Sequence, residues 1–561
     1  MKLLQLYNQS VGDKATMLFF ALLSATIVVV LYIRRSATST SGRPSLPPGL
    51  PRRSFGFLKT DLGMPAWKAL SILHEKHGPV TSMYRGRKLI ISLGTLKAAT
   101  DLLEKRGNIY SSRPRNIMGC IHILPALFWN THARVSFRSE LMSGGMRGVN
   151  MPYGTKWRNW RTLMHAGLGI QATGGHELMQ SLESKILLND LLNEQDPAAY
   201  VTHIRRTLAS ISMTMAYGRR VEYFGDPIAL RFILSATGIV LNDVYLVYFN
   251  WLPSSQPGKF LVESRFLQWF RRVPEAHRKI DTKVYMELLS EAKQKLANGE
   301  TETVILRKAL DKQTEYGLSD VELAFGLSAP FAAGVSTSST SLEIFILAML
   351  HHPHIMRKAQ KDIDSVVGPL RLPEFEDLDS LPYITAIVKE TLRWRPLFPL
   401  GIPHDSLADD VYEGFFIPAG SSVVWNAYLI SRDEKLFPAP DEFRPERYLG
   451  SAKEGSPSDS EELDPSFVFG FGRRICPGMH IARNSLFIII TRLLWAFDII
   501  PSKDSDGNAV LPPIALEDFV EALAIRPRPF SYIFRPRKDD QGHSLITQEC
   551  KRAREELQMH G

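Results

Sequence analysis

Residues 467–478, FVFGFGRRICPG, put Cys476 in a loop of glycine, proline and two arginines, in a chain with only three cysteines among 561 residues. A thiolate needs nearby positive charge and donors that keep it ionised, and this loop offers both. Three chemistries compete for it. A phosphate-cradling loop requires GxGxxG, but Gly470 and Gly472 are followed by Ile475, so that pattern fails. A nucleophilic cysteine requires a histidine partner, which the sequence leaves open. An axial thiolate for haem iron requires backbone N–H groups aimed at sulfur, a glycine where the chain nears the porphyrin, and a cation for a propionate. Cys120 and Cys550 form no CxxC pair and lie far away, which weighs against zinc ribbons, iron–sulfur clusters and a disulfide framework.

The haem reading is the distinctive one, because Phe469, Gly472, Arg474, Cys476 and Gly478 meet the full spacing F-x-x-G-x-R-x-C-x-G. On these residues the sequence resembles the cytochrome P-450 superfamily, the haem-thiolate monooxygenases. Phrases such as DLLEKRGNIYSSRP and DEFRPERYLG look most like its fungal microsomal members. The resemblance spans nearly the whole chain, to FSYIFRPR near residue 537. It implies the cytochrome P-450 fold, mainly α with small β-sheets, preceded by an N-terminal transmembrane helix. It also implies heme b with Cys476 as the axial iron ligand, and Phe469, Gly472, Arg474 and Gly478 as residues of the cofactor loop.

Further motifs agree with it. Glu390 and Arg393 in KETLR stand at i,i+3 on one helix face and can pair; alone, that is an ordinary solvated ion pair. The family expects ExxR and a later arginine, which FRPERYL supplies as Arg447, so the resemblance implies a buried network of structural role bracing the cysteine loop. WRNWR matches W-x-x-x-R, with Trp157 and Arg161 one turn apart and directed at a haem propionate by analogy. His404 in GIPHD stands where the family often places a propionate-binding His or Arg; without that context it is a loop histidine. AAGVSTSS, residues 332–339, maps onto A/G-G-x-D/E-T-T/S through Ala333, Gly334, Ser336, Thr337 and Ser338. Its small residues allow a helix to open locally. By resemblance Thr337 helps deliver the protons that cleave the O–O bond. At the acidic position stands Ser336, a hydroxyl that relays protons but does not titrate near neutrality.

The elements that must position these residues follow from periodicity and caps. VTSMYRGRKLIISLG (80–94) alternates as a hairpin, and TLKAATDLLEKRG (95–107) reads as a helix ending at Gly107. The capping box of Ser319 and Glu322 opens a helix expected to run unbroken to His352, and LPYITAIVKETLRWRP (381–396) is a helix stopped by Pro396. Residues 15–33 form an uncharged apolar run of 19, about 28 Å as a helix, close to bilayer thickness. Arg34, Arg35, Arg43, Arg52 and Arg53 after it outnumber Lys2 and Lys14 before it, which leaves the C-terminal part in the cytosol. The organisation expected is a segment 1–14, an anchor 15–33, a Pro/Arg-rich hinge 34–53, a domain 54–537 and a polar tail 538–561. The stretch 121–139 is longer and more apolar than family members carry there; an enlarged access loop, a second membrane contact and a retained intron all account for it.

The net charge of +9 is spread thinly, and no Lys/Arg run reads as a nucleic-acid tract. By resemblance, electrons come from NADPH through a membrane-bound NADPH–cytochrome P-450 reductase, whose acidic face suits a basic surface, with cytochrome b5 as a second donor. The expected location is the endoplasmic reticulum membrane. The expected reaction is hydroxylation or epoxidation of a lipophilic small molecule: terpenoid, steroid, fatty acid or polycyclic aromatic. Expected pocket walls are residues 112–150, 231–251, Phe331–Thr337, Leu397–Ile402 and Phe519–Ala524. A reductase-independent isomerase or dehydratase, and a non-catalytic membrane haem-binding protein, are the alternatives. If protons pass through Ser336 and water, Ser336→Asp lowers the hydrogen peroxide released per reducing equivalent; unchanged peroxide release contradicts this.

Overall fold

The computed structural model describes residues 44–50, 64–85, 88–114, 140–223, 225–226, 272–300, 304–449, 464–520 and 524–560. The expected segments 1–14 and 15–33, most of 34–53, and the stretches 121–139 and 231–251 lie outside the described residues. Among the described residues, 44–47 and 409–417 cluster as one unit and the others as another. In the first, β4 (Asp410–Tyr412) and β5 (Phe415–Ile417) form an antiparallel pair, and the Phe416 N–H donates to the Ser45 carbonyl at 2.8 Å.

The larger unit carries a four-stranded sheet in the order β1-β2-β6-β3. Its strands are β1 (Val80–Arg85), β2 (Lys88–Leu93), β3 (His404–Asp405) and β6 (Ser422–Trp425). The expected hairpin is present, with Val80 opposite Leu93 and Arg85 opposite Lys88. A second, two-stranded sheet pairs β7 (Phe497–Pro501) with β8 (Tyr532–Pro536). The main helices are α1 (Ala66–His77), α2 (Thr155–Leu168), α3 (Ile170–Asn193), α4 (Tyr200–Tyr217), α5 (Arg272–Ala297) and α6 (Val304–Gln313). They continue as α7 (Asp320–Leu327), α8 (Ala329–His351), α9 (Pro353–Val366), α10 (Pro382–Trp394), α11 (Met479–Ala496) and α12 (Asp540–His560).

α8 is the axis of the core. From Ser338 to Leu350 every side chain is buried, as the apolar circumference of a helix surrounded by protein demands. α4, α10 and α11 all pack against it. The run Asp320–His351 is long and apolar enough to cross a membrane, but most of it is buried inside this fold. The expected capping box is formed, yet the helix does not run unbroken: it divides at Ser328 into α7 and α8. Pro330 at the start of α8 has no N–H to continue the α-helical ladder, so a break falls there. The expected helix over 95–107 also differs. Leu96–Ala99 passes into a π-helical stretch, Thr100–Lys105, and Gly107 begins the next short helix instead of closing this one.

The segment expected as a polar tail forms α12 and packs along α3. Ile546, Cys550, Ala553 and Leu557 recur at helical spacing and are buried, the last three clustering with Leu182 and Ile186 of α3. Lys185 of α3 reaches Glu549 at 2.8 Å and Glu374 at 2.9 Å, tying α12 to the segment ahead of α10.

α10 brings Glu390 and Arg393 into the protein interior, both 0% exposed and 2.8 Å apart. Arg447, from the short 3-10 turn Pro445–Tyr448, adds a third member at 3.2 Å from Glu390. The remaining valences are met by backbone: Arg444 N–H donates to Glu390 at 2.8 Å, and Arg393 donates to the Ser431 carbonyl at 2.7 Å. The turn Pro465–Phe469, which leads into the cysteine loop, packs on α10. Removing one partner from a buried pair leaves an uncompensated charge, which costs about 3–5 kcal/mol. Glu390→Ala therefore lowers unfolding free energy by about that amount, read by denaturant titration of the purified protein. A loss below about 1 kcal/mol, the scale of a surface pair, contradicts a bracing role.

Candidate active site

The cysteine loop is shaped by two glycines with left-handed backbone, Gly470 at φ +91° and Gly472 at φ +52°. The chain folds back so that the Cys476 N–H donates to the Phe469 carbonyl at 2.9 Å. Two residues later Gly478 caps α11, and its N–H also points to the Cys476 sulfur. Helix polarity and that donor both favour a negative sulfur. Burial pushes the thiol up, while the Gly478 N–H and the nearby Arg161 guanidinium pull it down. Cys476 lies deep in the protein yet keeps accessible surface, so it borders an opening inside the fold.

The expected reason for Gly472 changes. A Cβ at this position would stand 2.5 Å from the Leu103 carbonyl oxygen and 3.0 Å from the Glu104 Cα. The close approach that requires glycine is to the π-helical stretch Thr100–Lys105, against which the turn Gly472–Arg474 packs. Phe469 contributes its carbonyl, and its ring lies under the Arg483 guanidinium at 5.5 Å.

A second opening breaks the burial of α8. Ala333 and Ser336 are exposed and Thr337 is half-buried, although the helix beyond them is fully enclosed. These positions share one face at i, i+3, i+4 spacing. The expected local opening of the helix is absent: α8 continues through them, and the Thr337 hydroxyl donates to the Ala333 carbonyl at 2.7 Å.

Four cationic or polar groups converge beside the loop. Trp157 and Arg161 both sit on α2. Arg161 donates to the Ile475 carbonyl at 2.5 Å, and the Arg474 guanidinium lies 4.0 Å from the Trp157 ring centre. Arg474 also donates to the carbonyls of Ser111 and Met151, each at 2.7 Å. His404 contacts the Tyr110 carbonyl through Nδ1 at 2.6 Å, but its buried Nε2 has no partner among the described residues. Sequence reasoning missed Arg113, which donates to the carbonyls of Ile402 and Pro403 at 2.6 and 2.8 Å. It belongs to SSRPR, a phrase with no helical or strand period to single it out.

These groups test whether haem suits the site. Among the described residues no carboxylate pairs with Arg113, Arg161 or Arg474. Burial pushes Arg113 down to about 9. Burial, then Arg113 and Arg161, pushes Arg474 down to about 8. Burial, reinforced by Arg113, also holds His404 well below its ordinary value. Interior guanidiniums, one of them depressed by two others, call for an anion. The two carboxylates of haem answer that demand, and the sulfur beside them suits its iron. The residues present fit the group.

Of the expected pocket walls, Leu397 and the segment after Phe519 are joined, since the Ile525 N–H donates to the Leu397 carbonyl at 2.8 Å. Residues 115–139, 231–251 and 521–523 of those walls lie outside the described residues.

The family model described as Cytochrome P450 matches residues 44–532. Cytochrome P450 monooxygenase 58 of Postia placenta is 33% identical over 94% of this chain and 95% of that protein. Cytochrome P450 monooxygenase virE of Hypocrea virens is 33% identical over 84% of this chain and 81% of that protein. Among solved structures, a zebrafish cytochrome P450 with progesterone superposes with a TM-score of 0.66 at 21% identity, covering 84% of this chain and all of that one. Fold, cysteine loop and relatives agree, and the chain belongs to the cytochrome P450 family, with fungal monooxygenases among its relatives.

Proposed function

We propose that this protein is a membrane-anchored monooxygenase that inserts one oxygen atom of O2 into a lipophilic small molecule, by hydroxylation or epoxidation. Terpenoids, steroids, fatty acids and polycyclic aromatics form the substrate class, in fungal secondary metabolism or xenobiotic oxidation. Residues 15–33 anchor it in the endoplasmic reticulum membrane with the catalytic domain in the cytosol. NADPH–cytochrome P450 reductase supplies electrons, with cytochrome b5 as an auxiliary donor.

The observation that carries this reading is the setting of Cys476: a sulfur at the N-terminal end of α11, facing an interior opening and flanked by cations that lack an anion. Haem, when bound, supplies the oxygen chemistry of the family. In this assignment Cys476 holds the iron, while Arg474, Arg161, Arg113, Trp157 and His404 hold the propionate edge. Phe469, Gly472 and Gly478 shape the loop. Thr337 and Ser336 line the opening in α8 and pass protons across it. Glu390, Arg393 and Arg447 brace the cysteine loop and take no part in the chemistry.

Ser336 supports a second reading, a haem-thiolate isomerase or dehydratase that works without a reductase. Full-length protein reconstituted with the reductase in vesicles is expected to oxidise members of a lipophilic panel only when NADPH is present. One atom of labelled dioxygen should appear in each product. Turnover of a peroxide substrate without NADPH or reductase supports the isomerase instead and sinks the monooxygenase.

A further inference from the structure

We infer that Glu343, through Ser339 and Ser336 along one face of α8, supplies the protons for which position 336 carries no acid of its own. This rests on the monooxygenase reading above. Ser336 begins six consecutive hydroxyl residues, Ser336–Ser341, and Glu343 follows within the same helix. At about 100° per residue, Ser336, Ser339 and Glu343 fall within about 60° of one another on the helix. Ser336 belongs to the exposed opening, whereas Ser339 and Glu343 are buried one and two turns further on. The stripe therefore leads from the opening into the interior, ending on a carboxylate.

The inner end is built as a hydrogen-bonded chain. Ser339 donates to Glu343 Oε1 at 3.1 Å. Arg205 of α4 reaches the same oxygen at 3.3 Å and Ser339 Oγ at 3.4 Å. The Arg205 side chain is 36% exposed, so it stands between Glu343 and solvent. The bland alternative is an ion pair that pins α4 to α8. Two observations favour the relay. First, the pair is long beside the structural pairs of this protein, 2.8 Å for Arg393–Glu390 and 2.6 Å for Arg206–Glu183. Second, both contacts fall on Oε1, and among the described residues Oε2 takes no hydrogen bond. Nearby, Tyr532 is buried with an unpartnered hydroxyl, and the Glu343 carboxylate acts on it electrostatically. A buried donor left unmet costs about 1–3 kcal/mol, so water at this end relieves the Tyr532 hydroxyl.

The transfer balances without electrons. For the transfer the Ser339–Glu343 hydrogen bond reverses: Glu343, once protonated, gives its proton to the Ser339 oxygen, and the Ser339 hydroxyl passes its own through water across one helical turn to Ser336 and the opening. The carboxylate is recharged from solvent at the Arg205 side.

The test uses full-length protein with reductase and NADPH, without added substrate. Glu343→Gln keeps the side-chain shape and replaces the carboxyl group by an amide. It is expected to raise severalfold both the share of electrons recovered as hydrogen peroxide and the solvent deuterium effect on NADPH oxidation. In a Ser336→Asp background, where an acid at 336 bypasses Glu343, Glu343→Gln is expected to change neither value, a rescue that a lost ion pair does not predict. A crystal structure of the wild type is expected to show ordered water between Ser336 and Ser339. An unchanged isotope effect, failed rescue or a dry apolar gap overturns the relay. If the reduced wild type lacks the thiolate-type carbon monoxide band, the monooxygenase reading itself falls; a normal band with unchanged Glu343→Gln kinetics removes the relay alone.

Discussion

Burial is hostile to a charged sulfur, and the fold around Cys476 is a set of devices against that cost. The loop turns back through two left-handed glycines, so that the cysteine arrives at the N-terminal end of α11, where helix polarity and the Gly478 N–H meet the sulfur. Arg161 adds positive charge from α2. None of these suffices while burial still raises the thiol, and a bound metal cation is the remaining stabiliser that the family supplies.

Two charged clusters flank this loop and behave in opposite ways. Glu390, Arg393 and Arg447 neutralise one another and meet their remaining valences on backbone carbonyls and an N–H, so that cluster is complete within the chain. Among the described residues Arg113, Arg161 and Arg474 pair with no carboxylate, burial and then Arg113 and Arg161 depress Arg474, and His404 Nε2 has no partner. The first cluster is a brace. The second is incomplete among the described residues, as the proposed propionate contact requires. That contrast separates structural from functional charge more sharply than burial does, because both clusters lie inside.

The motifs were legible in the sequence because they restrict residue type and spacing together: Cys476 with its glycines lies in the expected loop, and the Glu390–Arg393 pair and the Trp157–Arg161 turn lie on helices. Effects set by distant partners were not legible. Gly472 is required by the Leu103 carbonyl, more than 300 residues earlier in the chain. Arg113 joins the cationic cluster only because the sheet brings residues 402–404 beside it. Pro330 is a different case: the breaker is visible in the sequence, but the apolar pattern running across it outweighed it. In α12 the opposite happened: the buried stripe from Ile546 to Leu557 was readable by period, but the dense charges between its members concealed it.

The account depends on sulfur holding iron at Cys476. The direct measurement is the absorption spectrum of the reduced, purified full-length protein under carbon monoxide, for the wild type and for Cys476→His. The wild type should show the strongly red-shifted Soret band of thiolate ligation, and the variant should bind haem without that shift. A wild-type band in the unshifted position of imidazole-ligated haem contradicts the account at its root.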